Sequence, residues 1–179
     1  MFDQYQRKIE YVRISLTDRC NLRCRYCMPE EGIQKMRHED ILTFDEILRI
    51  VRALAVLGVR KVRLTGGEPL VRRNIVELVR EIHAVEGIEQ IALTTNGVLL
   101  DEMAADLVAA GLTGINISLD TLKAATFADI TRRPVFARVE AGIEAVHKAG
   151  LTDVKFNCVP MQGINEAELP ALVEHFTRL

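Results

Sequence analysis

The sequence predicts an α/β fold in which about five βα units build a parallel sheet with helices laid outside it. Three observations predict it. Short apolar segments alternate with amphipathic stretches of helical period along the whole chain. The strand-like segments read as near-continuous apolar runs, as strands of a parallel sheet do. The chemically distinctive turns fall at the carboxyl ends of those segments, where ligands gather in parallel α/β sheets.

Strands are expected at residues 11–16, 61–65, 90–94, 114–119 and 153–159. The first helix, residues 44–57, opens on Thr43 with Glu46 three residues on, a capping box, and stops at Gly58. Its apolar positions Phe44, Ile47, Leu48, Val51, Leu54 and Leu57 follow helical period and form one buried face. Further helices are expected at residues 74–84, at 101–110 before Gly111, and at 136–149 before Gly150. A last helix runs from Glu166 to the end of the chain. Such units can form either an open sheet or part of a (β/α) barrel. No sixth strand follows the last helix, which leaves a parallel edge open, so the sequence reads as lacking its carboxy-terminal part.

The 179 residues suffice for one core and read as a single domain, 1–179. With 49% hydrophobic and 27% charged residues and a net charge of −2, nothing points to bulk attraction for nucleic acid or membrane. The apolar runs are short and broken by charge, unlike a transmembrane span. The first ten residues are polar and charged, unlike a secretory signal. Four cysteines, three of them clustered, do not read as a disulfide framework, and thiolate ligands need a reducing compartment, so a cytoplasmic location is expected.

Those three cysteines, Cys20, Cys24 and Cys27, are the most informative residues. A C-x3-C-x2-C loop can hold three irons of a four-iron cluster and leave the fourth without a protein ligand. Clusters that only carry electrons usually have four protein ligands, whereas a site one ligand short admits substrate. A zinc knuckle is the rival reading, but the fourth thiolate would have to be Cys158, distant in sequence and read as a buried strand residue. The second strand ends in Thr65-Gly66-Gly67-Glu68-Pro69, where paired glycines let backbone approach a ligand and Glu68 or the carbonyls can accept from an ammonium. The third ends in Thr94-Thr95-Asn96-Gly97 and the fourth in Ser118-Leu119-Asp120, each plain turn chemistry on its own. Arg13 and Arg63 on adjacent strands and Lys155 on the fifth would be a costly set of inward cations unless an anion meets them. Solvated charges flanking strands are the bland alternative.

Together the cysteine loop, with an aromatic before its third cysteine, and the GGEP turn at the next strand end resemble the radical S-adenosylmethionine (SAM) superfamily. That resemblance implies a full or partial (β/α) barrel, here truncated after about five βα units. It implies that Cys20, Cys24 and Cys27 hold a [4Fe-4S] cluster whose open iron chelates SAM. The Gly66, Gly67 and Glu68 turn would meet the SAM amino group, Tyr26 would lie beside adenine, and Ser118 would hold the ribose or carboxylate. The runs Tyr-Val-Arg-Ile-Ser-Leu-Thr-Asp-Arg-Cys-Asn from residue 11, Met28-Pro29, Lys-Val-Arg-Leu-Thr-Gly-Gly-Glu-Pro-Leu from residue 61 and Thr94-Thr95-Asn96-Gly97 resemble one branch, the GTP 3′,8-cyclase family of molybdenum-cofactor biosynthesis. In that branch a 5′-deoxyadenosyl radical takes a ribose hydrogen of GTP, and the ribose carbon closes onto C8 of guanine. The resemblance implies Arg13, Arg63, Thr94 and Lys155 as GTP contacts, with Lys61 able to join them.

It also implies a reducing electron donor and a downstream cyclic pyranopterin monophosphate synthase as partners, and it admits a homodimer. The sequence departs from the family at Gln6 and Arg132, where glycine is usual. The family's second, carboxy-terminal cluster has no counterpart in these residues, so the resemblance covers about the first half of such an enzyme and implies that the isolated chain does not complete GTP turnover. A peptide-modifying or haem-pathway radical SAM enzyme, or a non-catalytic metal- or nucleotide-binding module, are the alternative readings.

Overall fold

The structure, a computed structural model, describes residues 2–34 and 36–177. Five parallel strands, β1 (Tyr11–Ser15), β2 (Lys61–Thr65), β3 (Gln90–Thr95), β4 (Gly114–Ser118) and β5 (Val154–Asn157), lie side by side in sequence order. The helices are α1 (Phe44–Val56), α2 (Ile75–His83), α3 (Leu100–Ala109), α4 (Ala124–Thr131), α5 (Phe136–Lys148) and α6 (Leu169–Thr177). A doubly wound sheet reverses its strand order at a switch point; this one never does. Consecutive order with right-handed crossovers keeps all the connections on one face, which is the arrangement of a barrel and decides between the two architectures left open above.

The register separates the two faces. Ile14, Leu64, Leu93 and Ile117 all point to one side, where they join α1, α2, α3 and α5 in one buried cluster through Val51, Leu78, Leu107 and Val139. The other side is polar. Arg13 pairs with Arg63, Thr94 with Asn116, and Asn116 in turn with Lys155, so these side chains share the inner face in two successive layers. The strands are therefore not apolar throughout, as expected above. Lys-Val-Arg-Leu-Thr and Gly-Ile-Asn-Ile-Ser alternate with period two because only one face is packed against helices.

The capping box forms as expected: Thr43 Oγ1 accepts the Glu46 amide at 3.3 Å, and Glu46 Oε2 accepts the Thr43 amide at 2.7 Å. Helix α4 was not anticipated. The expected last helix is a 3-10 turn, Glu166–Glu168, followed by α6, and its final two residues lie outside the described residues. Cys158 is not a strand residue: it follows β5, is half-buried, and its Sγ lies 3.8 Å from the Asp120 carbonyl. Lys61 shares the face of Arg63 but sits at the amino end of β2, opposite to the cysteine loop.

Candidate functional site

The cysteine loop leaves the carboxyl end of β1 and is held from both sides. On one side the GGEP turn packs against it. The Gly67 amide donates to Thr17 O at 2.7 Å and the Glu68 amide to Arg19 O at 2.8 Å. The contact is too tight for side chains, since a Cβ on Gly66 would stand 2.6 Å from Thr17 O and one on Gly67 would collide with Arg19 O. On the other side the end of α4 receives the loop. Arg23 and Arg25 amides donate to Thr131 O and Ile130 O, both at 3.0 Å, which satisfies carbonyls that a helix end leaves without partners. Arg132, left-handed at φ +54°, adds its guanidinium to Arg23 O at 2.7 Å and Met28 O at 3.2 Å.

Glu68 is 1% exposed. Its Oε1 accepts the Leu70 amide at 3.0 Å and the Thr95 hydroxyl at 2.8 Å, and its Oε2 accepts the Asn96 amide at 2.7 Å. Burial nonetheless pushes its carboxyl above the usual range against those donors. The side chain thus locks the ends of β2 and β3 together, and of the two acceptors named for the turn in the sequence, the carboxylate already has three protein donors.

Cys20 and Cys24 are half-buried, Cys27 is exposed, and none is in a disulfide. Burial, with Cys27 and Cys20 nearby, pushes the Cys24 thiol up to about 12. Burial likewise raises Cys20, with Glu68 and Cys27 adding to it and the Leu22 and Asn96 donors opposing. The Cys27 and Met28 amides both donate to Cys24 O, at 3.1 and 2.9 Å, so the loop turns back on itself between its last two cysteines. Among the described residues no three His, Cys, Asp or Glu side chains gather as ligands of a single metal ion would. A four-iron cluster asks for something else: each thiolate meets a different iron, so the sulfurs stand apart around a body. Three free thiols on one short loop, at the carboxyl end of a parallel sheet, are a donor set that fits such a cluster.

Tyr26 crosses from the loop to the tip of β4, where its hydroxyl donates to Asp120 Oδ2 at 2.9 Å. Burial and the Asp120 charge push the phenol above its usual range. Asp120 Oδ1 accepts the Val159 amide at 2.8 Å, and its carbonyl accepts Asn165 Nδ2 at 2.8 Å, so one buried residue joins β4, the cysteine loop and the segment after β5. Cys24, Tyr26, Asn96, Ser118 and Asp120 line one small cavity. Of the residues singled out in the sequence, the structure brings Tyr26 and Ser118 into that cavity beside Cys24, and brings Gly66 and Gly67 against the cysteine loop. Arg63, Thr94, Arg13 and Lys155 lie below, on the inner face; Arg63 donates to Thr94 Oγ1 at 3.3 Å, and Lys155 pairs with Asp153. Sequence reasoning missed Asn96 as more than a turn residue, Asp120, and Arg132. Asp120 carried one signal, an acid directly beyond a strand tip.

The family profile of the radical SAM superfamily matches residues 14–176. The chain is 51% identical over all its 179 residues to a GTP 3′,8-cyclase of Geobacter sulfurreducens and covers 54% of that protein. It is 54% identical over 172 residues to a GTP 3′,8-cyclase of Pelotomaculum thermopropionicum, covering 96% of this chain and 53% of the other. The chain thus spans about half the length of the curated relatives it matches. Among solved structures, anSMEcpe with bound AdoMet superposes with a TM-score of 0.71 at 18% identity, over 94% of this chain and 46% of that one. At that identity the likeness carries the fold.

Proposed function

Because this chain belongs to the radical SAM superfamily, whose members imply a [4Fe-4S] cluster and SAM, we propose that it is the cluster- and SAM-binding part of a GTP 3′,8-cyclase acting in molybdenum-cofactor biosynthesis. The observation that carries the substrate is the inner face of the sheet. Arg63 and Thr94 touch there, Arg13 is register-paired with Arg63, and Lys155 is in line with Thr94 through Asn116. Such a face suits a triphosphate, which arginine forks grip well.

In this reading Cys20, Cys24 and Cys27 hold one cluster. Bound there with SAM, it supplies the electron that cleaves the sulfonium and so the hydrogen-abstracting radical. The protein's own work is placement. The Gly66 and Gly67 carbonyls receive the SAM ammonium, with Glu68 holding that turn in shape. Tyr26, fixed by Asp120, flanks the adenine, and Ser118 meets the ribose or carboxylate. Arg13, Arg63, Thr94 and Lys155 hold the GTP phosphates on the inner face, below the cavity. A low-potential electron donor and a reducing, cytoplasmic setting go with this chemistry; among the described residues no helix is long and apolar enough to cross a membrane.

The test is anaerobic iron–sulfide reconstitution, dithionite reduction and electron paramagnetic resonance with and without SAM, followed by GTP. A four-iron signal that changes shape with SAM, and again with GTP, is expected. A signal that answers SAM but is indifferent to GTP would redirect the substrate assignment to another radical SAM chemistry. Zinc in place of iron would end the reading altogether.

A further inference from the structure

Of the three cysteine sulfurs, the described residues give amide donors to one alone. Cys20 Sγ receives the Leu22 backbone amide at 3.4 Å and Asn96 Nδ2 at 3.8 Å, distances normal for sulfur acceptors. The Asn96 carboxamide is not free to choose this orientation. Its Oδ1 accepts the Val98 amide at 3.1 Å, which turns Nδ2 toward the loop, and Nδ2 also donates to Asn21 Oδ1 at 2.7 Å. Its backbone is fixed in turn by Glu68, through the 2.7 Å bond to the Asn96 amide. As a mere turn residue, position 96 needs an acceptor for Val98, and aspartate provides that as well as asparagine. The amino group is what only asparagine brings, and it is aimed at Cys20 and its neighbour.

We propose that Asn96 is a positioning residue that donates to the Cys20 thiolate and raises the reduction potential of the bound cluster, with Glu68 holding it at that distance. The proposal rests on the cluster assignment made above. Reduction adds one electron from an external single-electron donor, and no bond forms or breaks in the step. The added negative charge spreads onto the ligand sulfurs, so an N–H donor there stabilises the reduced form more than the oxidised one. An acceptor or an empty space at the same point favours the oxidised form.

The experiment is a redox titration of the reconstituted chain, with iron content measured on the same samples, for wild type, Asn96→Ser and Asn96→Asp. Serine is neutral and keeps an acceptor near the Val98 amide but cannot reach Cys20; aspartate keeps the full Val98 contact and lacks the donor. With iron content equal to wild type, both variants are expected to be about tenfold harder to reduce, a fall of about 59 mV for a one-electron couple, with aspartate the lower of the two. Equal iron and an unmoved potential would overturn the proposal and leave the cluster assignment standing. Loss of iron from both variants, while wild type retains it, would reduce Asn96 to a scaffold residue and overturn it too. A wild-type chain that takes up no four-iron cluster would remove the cluster assignment itself, and the proposal with it.

Discussion

A single residue can reveal what a loop requires, and Arg132 does so through its backbone. Its φ of +54° is left-handed, a conformation that costs a non-glycine residue about 1–2 kcal/mol. Gln6, the other position where the family resemblance leads one to expect glycine, is also left-handed, at φ +62°. The sequence could flag both as departures, yet it could not say that each carries strain, because φ is set by what surrounds the residue. At Arg132 the strain has a counterpart: the guanidinium bonds to Arg23 O and Met28 O, inside the cysteine loop. Two variants separate these effects. Arg132→Gly drops the bonds and frees the backbone, whereas Arg132→Ala drops the bonds and keeps the strain. Urea unfolding should therefore find the alanine variant less stable than the glycine variant by about 1 kcal/mol. Equal midpoints would mean that the loop relaxes and stores no strain at this position.

Elements differ in how much of themselves they write into the sequence. Helix α1 was legible to its caps because its signals are local: an apolar stripe of period 3.6, a Thr43–Glu46 box, and Gly58 beyond the end. Strand β2 was located to the residue, while the carboxyl ends of β1, β3 and β4 and both ends of β5 were missed by one or two residues, since strand ends depend on which neighbours are there to pair. Helix α4 was missed because eight residues rich in alanine and threonine make a weak local pattern. Its role is set by contacts more than a hundred residues away in the chain, where Ile130 and Thr131 carbonyls receive the amides of Arg25 and Arg23. Local signals can also be tested locally. Thr43→Ala should destabilise the protein by about 1 kcal/mol. The Thr43 amide holds the Glu46 carboxyl below the usual glutamate range, with the Thr43 hydroxyl adding to it. A lowered folded value means stability present at neutral pH and lost as pH falls through that value. Thermal melts of wild type and Glu46→Gln should accordingly differ near neutral pH and converge on acidification. A gap that stays constant down to acid pH would rule out the carboxylate as its source.

At the scale of the whole molecule the sheet has two unequal faces, and the difference separates stability from function. The helix-covered face follows ordinary packing rules. The inner face places Arg63, 9% exposed, beside a threonine hydroxyl at 3.3 Å, and among the described residues no carboxylate pairs with it. A buried cation with so little compensation weakens the ligand-free fold, and such groups persist where an anion completes them. Sites of this kind are where a trade between stability and activity is expected. Arg63→Met keeps much of the side chain's length and apolar stem while removing the charge. It should unfold at a higher urea concentration than wild type when no ligand is present, by about 1 kcal/mol or more. The same variant should retain its iron, because Arg63 lies in mid-strand on β2, away from the cysteine loop. GTP affinity should fall at least tenfold, since one charge-assisted bond is worth about 1.5–3 kcal/mol. Calorimetric binding on the reconstituted protein, beside the urea series, reads both quantities. If the Arg63→Met variant proved less stable than wild type and bound GTP unchanged, Arg63 would be a structural cation and the inner face would need another ligand.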